Sequence, residues 1–184
     1  MHELIALAVP PTLAVVRGIR PDDLDAPTPC RDWTVRQLVD HLLEWGPALV
    51  AAAGKEEVTP VPVSGADPAD LEPHFAALEE AWSEPSAWEG ATRLGGPMEL
   101  PAPMIGGMVL AEVVVHGWDL AVATGQRPTW PDTLLAPVHE EVAKTAEQGR
   151  EMGVYGPAVA VPDDAPLLDR ILGLTGRGPI TRPS

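Results

Sequence analysis

Residues 104–124 constrain this chain more than any other stretch. At about 100° per residue, Ile105, Met108, Val109, Glu112, Val113, His116, Asp119 and Leu120 fall on one helical face. Leu110, Val114 and Ala121 make the opposite face apolar as well. A helix apolar nearly all round has to be covered by other helices. Its Glu, His and Asp then end among them rather than in water. The apolar run Met104–Val115 is broken by Glu112 and is too short to cross a bilayer.

The remaining segments supply the partners such a helix needs. Residues 3–18 carry a helical pattern, with Pro10-Pro11 expected to kink it or delay its start. A turn-rich connection covers 20–33. Thr34-Val35-Arg36-Gln37 then fits a capping box, and Val35, Leu38, Val39, Leu42 and Leu43 continue at helical spacing to about Ala53-Gly54. After a polar linker over 55–66, Asp67 or Asp70 caps a third helix reaching about Ser83, with Leu71, Phe75, Leu78 and Trp82 as its stripe. Residues 85–103 are irregular and form a long crossover.

A fourth helix is expected over 104–124, a fifth over 131–152, and a short one around Ala165–Leu174 in a Pro-rich tail. Nothing alternates with period two for long enough to demand a sheet. The expectation is all-α: a four-helix bundle over 1–155, and a tail, 156–184, whose short helix packs on it.

Charge narrows the function. The chain has 184 residues, within the range of one domain, and carries 27 acids against 12 bases, a formal net charge of −15. Nucleic acid and anionic membranes need clustered Lys and Arg, and no such cluster exists, so neither is an expected partner. One cysteine, Cys30, excludes an intramolecular disulfide and any Cys-based zinc motif. The start Met1-His2-Glu3 lacks the positive region of a signal peptide, so a cytoplasmic location is expected.

Glu112 and His116 stand one turn apart, close enough for a carboxylate oxygen and an imidazole nitrogen to chelate one cation. A buried Glu–His hydrogen-bonded pair is the plain alternative, since a lone carboxylate in the interior must be paired, neutralised or bound. His41, on the border of the second helix's stripe, would complete a set of two histidines and one carboxylate. Such a set leaves coordination positions open, as catalytic sites do; zinc is the default, and ferrous iron or nickel accepts the same ligands. His2 lies at a terminus, and His74 and His139 stand beside acids and are expected to be solvated.

The run from Thr28-Pro29-Cys30-Arg31-Asp32-Trp33 through Asp40-His41 resembles the segment leading to the first metal histidine in DinB-like bundle proteins of actinobacteria. Those proteins are related to the N-terminal domain of mycothiol-dependent maleylpyruvate isomerase. Glu112–Leu120, with His116-Gly117-Trp118-Asp119-Leu120-Ala121, resembles their second ligand segment. Val161–Ala165 and Asp169–Arg177 resemble their tail. The resemblance spans essentially the whole chain. It implies a DinB-like four-helix bundle in which His41, Glu112 and His116 hold a divalent metal, usually zinc, and in which a low-molecular-weight thiol such as mycothiol is bound.

The leading expectation is therefore a metal-dependent thiol S-transferase that deprotonates a thiol for attack on a small electrophile. The related isomerase has a second domain, while here a short tail is expected, which weighs against isomerisation. Asp119 is a candidate to orient a ligand histidine through its other nitrogen, or else makes a helix-end hydrogen bond. Trp45 and Trp118 are expected in the core, and Cys30 as a buried filler unless it lies near the metal. A metal-assisted hydrolase would use Asp40 or Glu44 as general base. A non-catalytic metal-binding or homodimeric interaction module is the third reading.

Overall fold

The computed structural model describes residues 1–30 and 32–178. Its helices are α1 (Ile5–Arg17), α2 (Val35–Ala53), α3 (Leu71–Ser83), α4 (Ala102–Ala123), α5 (Asp132–Glu151) and α6 (Leu167–Leu174). The chain divides into two compact units, Met1–Trp130 with α1–α4 and Pro131–Ser184 with α5 and α6. In the second unit α5 packs on α6. The division therefore falls before α5, whereas the sequence grouped that helix with the bundle.

The first unit is a four-helix bundle. α1 packs on α3 and α4, and α2 packs on the same two helices. Consecutive helices α1 and α2 therefore face each other across the diagonal, as do α3 and α4. The connections 18–34 and 84–101 both cross the bundle end.

α1 runs unbroken through Pro10 and Pro11, contrary to the expected kink or late start. The carbonyls that lose their partners belong to Ala6 and Leu7, both on the exposed side, where water can serve them. α2 begins as its sequence announces. Thr34 Oγ1 accepts from Gln37 N at 3.4 Å, and Gln37 Oε1 accepts from Thr34 N at 2.9 Å.

α3 follows a short 3-10 turn that Asp67 caps through Ala69 N, 2.9 Å away. The crossover holds a feature the sequence did not announce, an antiparallel hairpin of β1 (Ala91–Arg93) and β2 (Glu99–Pro101). Three residues per strand are too few to show an alternating pattern. Thr92 Oγ1 fastens the hairpin to α2 by donating to Ala52 O at 2.6 Å.

α4 is the core element. It has the length and composition to cross a membrane, but 78% of its most apolar window is buried inside the protein. Two glycines let neighbours reach its backbone. A Cβ on Gly106 would stand 2.3 Å from the Trp88 ring, and one on Gly117 would stand 2.5 Å from Thr12 Oγ1. That close approach allows the Thr12 hydroxyl to donate to Val113 O at 3.0 Å, a direct tie between α1 and α4. The tie lies one turn from His116 and holds that stretch of α4 in place.

Candidate metal centre

His41 projects from the middle of α2, and Glu112 and His116 from successive turns of α4. Packing of α2 on α4 brings them together. His41 Nε2 lies 3.1 Å from Glu112 Oε1, and His116 Nε2 lies 3.4 Å from the same oxygen. One ligand atom from each residue falls within 4.8 Å of the other two.

The two separations to the Glu112 oxygen fit a tetrahedral cation. Bonds of roughly 2.0–2.1 Å to nitrogen and oxygen require donors about 3.4 Å apart along each tetrahedral edge. The observed 3.1 and 3.4 Å lie close to that edge. The side chains of His41, Glu112 and His116 retain 21%, 27% and 11% exposure. The three side chains therefore lie at a partly exposed edge of the bundle.

Asp119, one turn after His116, is fully buried. Its Oδ2 accepts a hydrogen bond from His116 Nδ1 over 2.9 Å. With the Asp119 carboxylate as acceptor at Nδ1, the His116 Nε2 that faces Glu112 is the nitrogen whose lone pair a cation held there would take. Asp119 is thus placed to orient His116, one of the two roles the sequence offered for it.

Trp33 is a site residue that sequence reasoning passed over. Its ring centroid lies 4.6 Å from that of His41 and 6.4 Å from that of His116. The loop before α2 holds it there. Thr28 N donates to Trp33 O at 2.9 Å, Trp33 N donates to Cys30 O at 3.2 Å, and Asp32 takes a left-handed φ of 63°. The signal was present in the run from Thr28 to His41, but only the folded loop turns the indole onto the imidazoles.

Cys30 belongs to the same neighbourhood. Its sulfur, a His116 nitrogen and an Asp119 oxygen lie within 4.8 Å of one another. It is half-buried rather than a sealed core filler.

His74 corrects the expectation of a solvated histidine. It is half-buried on α3, with its imidazole against Gly46 of α2 and close enough to Glu112 to feel that charge. Burial pushes the imidazole down to about 4, with the Glu112 carboxylate acting in the opposite direction. His139 is likewise half-buried, and burial, with Arg170 nearby, lowers it too.

Asp40 is removed from the bases considered for a hydrolase. Its two oxygens accept from Gly65 N at 3.0 Å and Ala66 N at 2.9 Å, so it ties the linker after α2 back onto that helix. Glu44 is half-buried and makes no hydrogen bond or ion pair among the described residues. Trp118 is in the core, at 8% exposure. Trp45 is only half-buried; it packs its ring on Gly95, where a Cβ would stand 2.8 Å from it.

Residues 8–121 match the family model described as the mycothiol maleylpyruvate isomerase N-terminal domain. The chain belongs to this family. Two uncharacterized proteins of Mycobacterium tuberculosis, one from strain CDC 1551 and one from strain H37Rv, are each 28% identical over 172 residues. The match covers 89% of this chain and 90% of each relative.

Two crystal structures of mycothiol-dependent maleylpyruvate isomerase, one of them a histidine-to-alanine variant, share the fold. They superpose with TM-scores of 0.62 and 0.63 at 22% identity, covering 96% of this chain and 89% of theirs. The fold is thus the expected DinB-like bundle. The match reaches across most of the isomerase chain.

Proposed function

We propose that this family member is a divalent-metal, zinc-dependent thiol S-transferase that uses a low-molecular-weight thiol, mycothiol, against a small electrophile in the cytoplasm. One observation carries the reading. Two imidazole Nε2 atoms converge on one oxygen of Glu112, and the buried carboxylate of Asp119 accepts from the Nδ1 of one of these rings. A bare Glu–His pair would need neither the second histidine nor the backing acid.

In this reading His41, Glu112 and His116 hold the cation, and Asp119 keeps the His116 lone pair directed at it. A divalent cation bound there supplies the charge that makes a coordinated thiol a thiolate at neutral pH. Glu112 offsets part of the cation's charge. The Trp33 ring shields the His41 and His116 imidazoles from bulk water, which strengthens their hold on it. Family membership supports mycothiol as the thiol, because the related structures are of a mycothiol-dependent enzyme.

Isomerisation of a small unsaturated acid is the second reading. The fold match over 96% of this chain and 89% of the isomerase favours it. Both readings use the same centre. A hydrolase would have to rely on Glu44 as its base, because Asp40 is occupied by the Gly65 and Ala66 amides.

The test is metal content of protein purified without added metal or affinity tag, in wild type and His116→Ala, followed by mycothiol-transfer assays. About one equivalent in wild type, lost in the variant, supports the reading. Wild type unable to bind added zinc would sink it, and with it both the isomerase and hydrolase alternatives.

A further inference from the structure

The six tryptophans divide by setting. Trp82, Trp88, Trp118 and Trp130 are core residues, none more than 8% exposed. Three of them also donate the indole N–H to a backbone carbonyl, Trp82 to Leu49 O, Trp88 to Trp82 O and Trp130 to Ala8 O. Trp45 is half-buried and packs on Gly95. Trp33 is also half-buried, but its ring neighbours are the two imidazoles of the centre, His41 at 4.6 Å and His116 at 6.4 Å.

The loop before α2 is built to hold the ring there. The Thr28 hydroxyl reaches both Cys30 O, at 3.0 Å, and Trp33 O, at 2.9 Å. Pro27 and Thr34 form an isolated antiparallel bridge across the base of the loop. Between them Asp32 turns the chain through its left-handed φ of 63°, a region few non-glycine residues enter. The indole plane is tilted by 43° to His41 and 35° to His116, so it leans over both imidazoles without stacking flat on either. Part of its apolar surface stays exposed beside the donors.

In the thiol reading the sulfur takes the position that His41, Glu112 and His116 leave open. The reacting carbon then has to stand about 3–3.5 Å from that sulfur, which puts the rest of its molecule against whatever borders the donors. Trp33 is the side chain in ring contact with both histidines. Its π face attracts flat apolar groups and carries no charge to hold a carboxylate.

We propose that Trp33 is a specificity-determining residue of this centre, the platform on which the electrophile lays an aromatic, uncharged body. The inference rests on the thiol reading above and narrows its small electrophile to one chemical class. That class differs from the unsaturated acid of the isomerase reading.

The experiment is calorimetric titration of the zinc-loaded full chain with mycothiol and three ready-made thioethers, S-benzyl, S-methyl and S-succinyl mycothiol. The thioethers stand for the products of an aromatic, a minimal and a dicarboxylate electrophile. Wild type, Trp33→Phe and Trp33→Leu are compared, with zinc content measured for each. Leucine keeps an apolar cover over the imidazoles but has no π face. Wild type should bind the S-benzyl conjugate roughly tenfold tighter than the S-methyl one. Trp33→Phe keeps most of that preference and Trp33→Leu loses most of it. Mycothiol affinity stays the same in all three proteins and zinc stays near one equivalent, which loss of a merely structural indole would not give.

Equal binding of the S-benzyl and S-methyl conjugates by wild type overturns the proposal, and needs no variant to fold. So does a benzyl preference that survives in Trp33→Leu, or tightest binding of the S-succinyl conjugate, which would favour the acid of the isomerase reading. Loss of zinc in Trp33→Leu would make the indole a structural cover, and weaker binding of mycothiol itself would assign it to the thiol; either result overturns the proposal. Wild type that holds zinc but binds neither mycothiol nor any conjugate overturns the thiol reading, and this inference with it.

Discussion

His116 Nδ1 donates a hydrogen bond to Asp119 Oδ2 over 2.9 Å, and that bond leaves Nε2 as the nitrogen whose lone pair a cation at the centre would take. Both residues lie on α4, three positions apart. The orientation of one candidate metal donor is therefore written into a single helix. Asp119 itself is fully buried.

Asp119→Asn should weaken zinc binding by roughly 10–100-fold, the usual effect of losing a carboxylate behind a ligating histidine. Competition titration with a zinc chelator reads this directly. Affinity equal to wild type would reduce Asp119 to a packing role.

His41→Ala and Glu112→Gln should each lower zinc from about one equivalent to well below it, because each removes one of three donors. Metal analysis after gel filtration checks the stoichiometry. Full zinc in either variant would exclude that residue from the ligand set.

Gly117→Ala should destabilise the bundle by about 1–3 kcal/mol, the range for overpacking a well-filled contact. The new Cβ would stand 2.5 Å from Thr12 Oγ1 and press on the Thr12–Val113 tie. Urea denaturation would measure it. Because Gly117 follows His116, weaker zinc binding should accompany the loss.

Asp40→Ala should cost about 1–3 kcal/mol by leaving the amides of Gly65 and Ala66 without their acceptor. Zinc and mycothiol binding should stay as in wild type. A large loss of activity with unaltered stability would instead revive a hydrolase in which Asp40 is the base.

The pH dependence of stability should carry a contribution from His74. Burial lowers its imidazole from 6.5 to about 4. Between those values the unfolded chain binds the proton and the folded protein does not, so stability falls as pH is lowered through that window. Denaturation of metal-free protein at intervals from pH 7 to about 4 tests this. His74→Gln should show a shallower decline, and identical slopes would contradict the assignment.

Much of the bundle could be read from local pattern. The capping box at Thr34, the glycine stop after α4 and the apolar stripes of α2 and α3 are interactions within a few residues, and each stands where its residues indicated. The same holds for Glu112, His116 and Asp119, because helical spacing alone puts them on one face. The hairpin at 91–101 was invisible because its strands are too short for a period to develop. α1 survives its two prolines because of which side of the helix faces water, a matter of packing rather than propensity.

The sequence by itself determined that the protein is helical, that α4 is its buried element and that this element carries ionisable groups needing partners. Only the tertiary structure decided who those partners are. His41 reaches Glu112 from 71 positions away, Trp33 turns over the imidazoles, Asp40 is spent on a loop and His74 packs against Gly46. Residue spacing reports on a single helix, whereas a site between helices depends on how their faces meet. That meeting is set by side-chain volumes and backbone approach at positions such as Gly46 and Gly117.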